Sequence, residues 1–259
     1  MELSAEKPML LKGDCLELMK TLPAKSIDLF VLDLPYANKK FGNCTACAWD
    51  TPIDLKKMWE EIKRIMKPNA TIVHFCNTKF GFALIESNPK WFRYDLIWRK
   101  TNKKVGFLNA NKQPLRQHEN IYIFKDKQGT YNPQKTEGKP YNKFRPTQNI
   151  TTIDGAYGKI FKANKEQIIN DRHPTSIINI ENTILEYKNP HKTIHPTQKP
   201  VDLLEWLIKT YSNEKDTVMD FCMGSGTAGV ACKNLNRKFI GIEKDKEIFE
   251  KAKNRINNS

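Results

Sequence analysis

The chain has 259 residues, with 43 Lys and Arg against 29 Asp and Glu, and a formal charge of +14 at pH 7. That length accommodates one domain with a substantial core, or one domain carrying an insertion, and the charge points to an anionic partner, nucleic acid before a merely lysine-rich surface. A membrane span is excluded because no run of about 18 apolar residues occurs, and the acids Glu2, Glu6, Asp14 and Glu17 argue against a signal peptide, so the six cysteines are expected to be reduced thiols in a cytoplasmic protein.

Strand and helix signals alternate from the start of the chain. Met9–Gly13 reads as a short strand, and Asp14 as the N-cap of a helix over Cys15–Thr21. Ile27–Leu32 is the next strand. Cys44 and Cys47 form a CxxC, but no second Cys or His pair stands at zinc spacing, so no metal site is expected. Asp54–Met66 places Leu55, Met58, Trp59, Ile62 and Ile65 at helical spacing, with Lys67-Pro68 expected to stop it. Ala70–Cys76 is a buried-strand run, Thr78–Ser87 a helix, and Tyr94–Trp98 and Ile121–Phe124 are strands. The alternation predicts βαβ units and a doubly wound, mostly parallel α/β sheet of Rossmann type.

Periodicity breaks down between residues 125 and 192, a stretch rich in Asn, Gln, Thr, Pro and Lys. A structureless loop of that length is improbable inside a compact domain, so it reads as an insertion with an irregular fold of its own. The expected division is therefore one domain formed by residues 1–124 and 193–259, interrupted by 125–192. Val201–Tyr211 restores the helical spacing after Pro200, followed by strands at Val218–Phe221 and Phe239–Ile242 around the helix Thr227–Leu235, and a last helix over Asp245–Ile256.

Two motifs fall at strand ends, where open α/β sheets bind ligands. Asp33-Leu34-Pro35-Tyr36 follows the second strand and presents a carboxylate and an aromatic face. Asp220-Phe221-Cys222-Met223-Gly224-Ser225-Gly226-Thr227 is a glycine turn opening a helix, where the backbone can approach a ligand closely. Glu243 ends the next strand, nineteen positions after Gly224, where an acid can accept hydrogen bonds from ribose hydroxyls. Gly224, Gly226 and Gly229 also fit GxGxxG, which admits a dinucleotide enzyme; but only one strand and helix follow, so the rest of the sheet must come from upstream.

The order of these motifs, catalytic first and cofactor second with a polar insertion between, resembles the beta group of DNA amino-methyltransferases, which are circularly permuted relative to other S-adenosyl-L-methionine enzymes. The resemblance covers almost the whole chain. His195-Pro196-Thr197-Gln198-Lys199-Pro200 is similar to the family's motif X, which cradles the methionine part of the cofactor. Asp14-Cys15 matches its adenine-binding position, and Trp49-Asp50 follows the catalytic motif as in that group. The resemblance thus assigns to the cofactor Asp14, Cys15, Asp33, His195, Thr197, Lys199, Asp220, Phe221, Cys222, Gly224, Ser225, Gly226, Thr227 and Glu243, with Lys199 near its carboxylate.

An exocyclic amino nitrogen is a poor nucleophile because its lone pair is delocalised into the base. Acceptors on its two N–H bonds, the Asp33 carboxylate and the Leu34 carbonyl, return that lone pair to the nitrogen, and Tyr36 offers a ring for an extruded base, a stacking contact of roughly 1–3 kcal/mol. Leu34 replaces the first of the two prolines usual in this motif; the carbonyl survives and the fixed φ is lost. Asp as the first residue implies, by the resemblance, N6 of adenine, with N4 of cytosine as the alternative. Lys39, Lys40, Arg99, Lys103, Lys104, Lys112 and Arg116 are expected on DNA phosphates; together with Lys100, those from Arg99 to Arg116 form a run without an acid between Asp95 and Glu119. The insertion corresponds to the target-recognition region. Double-stranded DNA is the expected partner, with a cognate restriction endonuclease and a homodimer as further partners. Rival readings are methylation of RNA or of a protein glutamine, a non-catalytic DNA-binding subunit, and a dinucleotide dehydrogenase.

Overall fold

The computed structural model describes residues 7–37, 51–100, 104–142, 168–179 and 198–259. In chain order the elements are β1 (Met9–Lys12), α1 (Cys15–Met19), β2 (Ile27–Leu32), α2 (Leu55–Ile65), β3 (Met66–Cys76), α3 (Thr78–Ser87), β4 (Phe92–Arg99), β5 (His118–Phe124), β6 (Thr136–Asn142), β7 (Ile168–Arg172), β8 (Ile177–Asn179), α4 (Val201–Tyr211), β9 (Thr217–Asp220), α5 (Thr227–Asn234), β10 (Lys238–Glu243) and α6 (Lys246–Asn258). Two compact units divide the chain: Met1–Asn132 with Thr175–Ser259, and Pro133–Pro174.

The larger unit is built on one sheet in the order β1-β10-β9-β2-β3-β5-β4-β8. Both faces of that sheet are covered, which is why its central strands read as unbroken apolar runs. In β2 the alternation splits the run: Leu29 and Val31 pack with α4, α5 and α6 through Leu207, Ala231 and Ile256. Phe30 and Leu32 pack on the other face with α1, α2 and α3 through Met19, Ile62 and Leu84. Each of these side chains is essentially fully buried, and burial of each one larger than Ala231 stabilises the fold by roughly 1.5–3 kcal/mol. The helices start where the sequence supplies caps: Asp14, Asp54, Asn77 and Asp245 each accept a hydrogen bond from a first-turn N–H. The fold class read from the sequence is borne out.

Two local expectations are corrected. The third strand does not begin at Ala70: α2 ends at Ile65, ahead of Lys67-Pro68 as read, and passes directly into β3 at Met66. The register with β2 jumps from Ile27↔Met66 to Leu29↔Thr71, so Pro68 lies in the irregularity, where its missing N–H costs no ladder bond. The second concerns β5, which runs antiparallel to both neighbours, β3 and β4. The chain returns from β4 through a hairpin rather than a helical crossover, and this brings the first residues of β5 to the edge where the parallel strands end. The smaller unit contains the antiparallel pair β6 and β7, with Thr136 opposite Arg172 and the Arg172 guanidinium 4.5 Å from the centre of the Tyr141 ring.

Candidate active site

Across the C-terminal edge of the sheet the strand ends deliver, in spatial order, Asp14 after β1, Glu243 on β10, Asp220 on β9, Asp33 after β2, Asn77 after β3, Glu119 on β5 and Lys100 after β4. The chain order is scrambled, yet the two sequence motifs arrive on adjacent strands, because β2 pairs with β9.

The glycine turn occupies one half of this edge. Gly224 has φ +48° with open space where a Cβ would stand, and Gly226 has φ +73° with Ile256 only 2.8 Å from such a Cβ. Both conformations are costly for residues with a side chain. The Glu243 carboxylate accepts the Gly224 N–H at 3.0 Å and the Asp245 N–H at 2.9 Å, fixing the turn against the next strand. Asp14 caps α1 through Leu16 N at 3.0 Å, and its other oxygen lies 3.3 Å from Lys244 Nζ. Asp220 is buried and accepts the Cys222 N–H at 3.1 Å; burial pushes its carboxyl well above the ordinary range. The Cys222 thiol hydrogen-bonds that of Cys15, holding Cys15 below its usual value and Cys222 well above it. Phe221 belongs to the core. Ser225 and Thr227 face one another at 3.1 Å and both meet Arg255, so their hydroxyls tie the turn to α6.

The other half holds a charged cluster that is largely enclosed. Lys199 Nζ lies 2.5 Å from Asp33 Oδ2 and 3.4 Å from Glu119 Oε1. Lys100 Nζ lies 2.8 Å from Glu119 Oε2, and the Tyr36 hydroxyl is 2.6 Å from Glu119 Oε1 and 3.1 Å from Asp33 Oδ1. With a single proton, the hydroxyl donates to the nearer acceptor, Glu119. Two carboxylates thus face two ammoniums, and only Asp33, with its side chain 24% exposed, opens appreciably to solvent. Burial disfavours the Glu119 charge, but Lys199 and Lys100 hold its carboxyl down at about 2. Burial likewise opposes the Lys199 ammonium, while Asp33 and Glu119 raise it above its ordinary value. For Asp33 burial dominates: its carboxyl sits above the usual range, with Lys199 pulling it down and Glu119 pushing it up. Tyr36 stacks on Phe80 at 5.4 Å, and burial and the two carboxylates keep its hydroxyl protonated. Leu34 is buried, and Pro35 is half-buried.

Residues 27–254 match the model of the family described as DNA methylase, N6_N4_Mtase. The chain belongs to this DNA methylase family. Among similar curated proteins are the type II methyltransferases M.HpaI of Haemophilus parainfluenzae, 29% identical over 95% of this chain and 73% of the relative, and M.HinfI of Haemophilus influenzae, 28% identical over 95% and 67%. Among solved structures, the M1.HpyAVI–SAM complex aligns with a TM-score of 0.63 at 25% identity, over 97% of this chain and all of that one. The cytosine-N4-specific PvuII DNA methyltransferase shares the fold, at TM-score 0.61 and 17% identity over 96% and 89%.

Three features of the charged cluster escape a reading of the sequence. Glu119 precedes the expected strand Ile121–Phe124 and figures in the sequence only as the acid that ends the basic run, whereas the structure includes it in β5. Lys100 belongs to the basic run, yet it turns inward to Glu119 and over the Trp98 ring at 4.8 Å. Lys199, expected near a cofactor carboxylate, lies against Asp33. Of the expected phosphate contacts, Arg99, Lys104 and Lys112 are exposed, and Arg116 donates to Thr78 Oγ1 at 2.8 Å. Lys39, Lys40, Lys103, His195 and Thr197 lie outside the described residues, as do the Cys44-Cys47 pair and Trp49-Asp50.

Proposed function

We propose that this DNA methylase transfers a methyl group from S-adenosyl-L-methionine to the N6 amino group of adenine in duplex DNA, after the target base has left the helix. The observation that carries the reading is the meeting of Asp33 through Tyr36 with the glycine turn at Gly224 on adjacent strands of one sheet edge. The residues fit that cofactor. Gly224 leaves a cleft where a side chain would stand, Glu243 borders it with a carboxylate for ribose hydroxyls, and Asp14 and Cys15 flank the adenine end. Bound there, S-adenosyl-L-methionine supplies an electrophilic methyl on its sulfonium.

The chain's own groups then do the rest. Asp33 and the Leu34 carbonyl accept the two N–H bonds of the target amine, and the Tyr36 ring, braced by Phe80, holds the base in plane. Burial raises the Asp33 carboxyl, and Lys199, 2.5 Å away, opposes that shift. Asp33 rather than Ser as first residue of the motif supports adenine. The type II relatives support a role in restriction and modification, with a cognate endonuclease, in the cytoplasm. We assign target recognition to the 125–192 region, within which Pro133–Pro174 forms the separate compact unit while β8 joins the main sheet, and a homodimer is the proposed assembly. Among the described residues no helix is long and apolar enough to cross a membrane.

The test is nucleoside mass spectrometry after incubation with labelled cofactor and unmethylated duplex DNA, RNA or bulk protein. N6-methyladenine in duplex DNA is expected. N4-methylcytosine as the main product overturns the base assignment, transfer only to RNA or protein overturns the substrate, and cofactor binding without transfer to any acceptor identifies a non-catalytic subunit.

A further inference from the structure

Between β4 and β5 the methylase extends a hairpin that ends in two unburied apolar side chains. Phe107 is 76% exposed and Leu108 83%, and Val105 and Leu115 beside them are 37% and 40% exposed. Their backbone is nonetheless held. Val105 and Arg116 exchange hydrogen bonds at 2.9 and 3.0 Å, and Lys100 N donates to Gln117 O at 2.8 Å, closing the stem. Asn109 N to Gly106 O at 2.9 Å and Lys112 N to Asn109 O at 2.8 Å close the tip, and Gly106 takes φ +92° to turn the chain into it. A satisfied backbone presenting two adjacent apolar chains to water is a built projection rather than a frayed loop.

The surroundings of the tip identify its partner. Lys104, Lys112 and Arg116 flank it, and no acid occurs between Asp95 and Glu119. A second copy of the chain meeting this tip isologously would set those cations against their own counterparts, whereas a phosphate backbone neutralises them. The stem is rooted at Lys100 and Glu119, which belong to the Asp33 cluster. The Val105–Arg116 bridge stands only three residues of strand from Glu119, about 10 Å along the chain. A base cannot leave a duplex without opening a gap in the stack, and an apolar side chain entering at the base step is one way proteins hold such a gap open.

We infer that Phe107 and Leu108 form a wedge that enters the DNA stack beside the extruded target base, while Lys104 and Lys112 hold the flanking phosphates. This rests on the DNA-methylating reading above.

The test compares wild type with Phe107→Ser/Leu108→Ser, whose exposed positions leave folding intact, as melting curves will verify. The probe is a duplex oligonucleotide carrying the site mapped by modified-base sequencing, made in two forms, with the target base paired or opposite an abasic position. The variant should lose about tenfold or more in kcat/KM on the paired duplex and regain most of it on the abasic one, where no pairing holds the base in. Its salt dependence of DNA binding should match wild type, because the phosphate contacts remain. Equal activity of variant and wild type on the paired duplex overturns the wedge, and so does an equal loss on both substrates. A change from dimer to monomer on sedimentation overturns it in favour of a self-association surface. A wild type inert on every DNA sinks the methylase reading and the wedge with it.

Discussion

Lys199 and Asp33 stand 166 residues apart in sequence and 2.5 Å apart in the fold. Burial raises the Asp33 carboxyl, and the ammonium pulls it back down while engaging one of its oxygens. Replacing Asp33 by Asn keeps the shape and removes both the charge and the ion pair. Turnover should fall by about 100-fold or more, the scale seen when a preorganised transition-state contact is lost. Calorimetric affinity for S-adenosyl-L-methionine should stay near wild type; a full-rate Asp33→Asn enzyme would remove Asp33 from the mechanism.

Lys199 divides two roles cleanly. If the ammonium serves the cofactor carboxylate, Lys199→Met weakens cofactor binding first. Because Lys199 is committed to Asp33 and Glu119, the expected outcome is the opposite: kcat falls sharply and the cofactor dissociation constant changes by less than about threefold, below 1 kcal/mol. Binding calorimetry and single-turnover rates on the same preparation decide it.

Glu119 raises the Asp33 carboxyl by charge repulsion and accepts the Tyr36 proton. An Asp33 carboxyl held above the usual range is protonated, and inactive as an acceptor, at a higher pH than an ordinary carboxylate. Glu119→Gln removes the repulsion while Lys199 still pulls Asp33 down. The acid limb of the kcat profile should therefore move to lower pH, even as the rate plateau drops with loss of the Tyr36 anchor. Tyr36→Phe should lower the plateau without that shift, and the two changes together should be less than additive, since they share one hydrogen bond.

Glu243→Ala removes two hydrogen bonds to backbone N–H groups at the glycine turn as well as the carboxylate beside the cleft. Cofactor affinity should weaken by roughly 1–3 kcal/mol, the cost of a lost charged hydrogen bond. Undiminished affinity in a folded variant would reject the ribose assignment.

His74 is buried between Trp59 and Phe124, and neither ring nitrogen has a partner. Burial lowers its value from 6.5 to about 3, so it stays neutral in the fold. Below its ordinary value the unfolded chain takes up a proton that the folded one refuses. Stability is then lost as pH falls through that window, by about 1.4 kcal/mol per unit from this residue. Urea titrations at pH 7 and pH 5 should give His74→Phe a smaller loss on acidification than wild type, by about 2 kcal/mol.

The strands, the helices and the two motifs were legible because they are written in local chemistry. Period-3.6 and unbroken apolar runs, capping Asp14, Asp54 and Asp245, and a glycine turn after Met219 all act within a few residues of themselves. Such signals determined an α/β sheet and pointed to Asp33, Tyr36, Gly224 and Glu243 at strand ends. Strand direction is a different matter, because an apolar run has the same pattern whichever way it is threaded. Only the fold reversed β5, and that reversal carries Glu119 to the edge where Asp33 stands. The same is true of Lys199 and Lys100: their sequence context reads as a cofactor loop and a DNA-facing cation. What turned them inward is that two carboxylates enclosed at one sheet edge require compensating charge, and these ammoniums are the groups within reach.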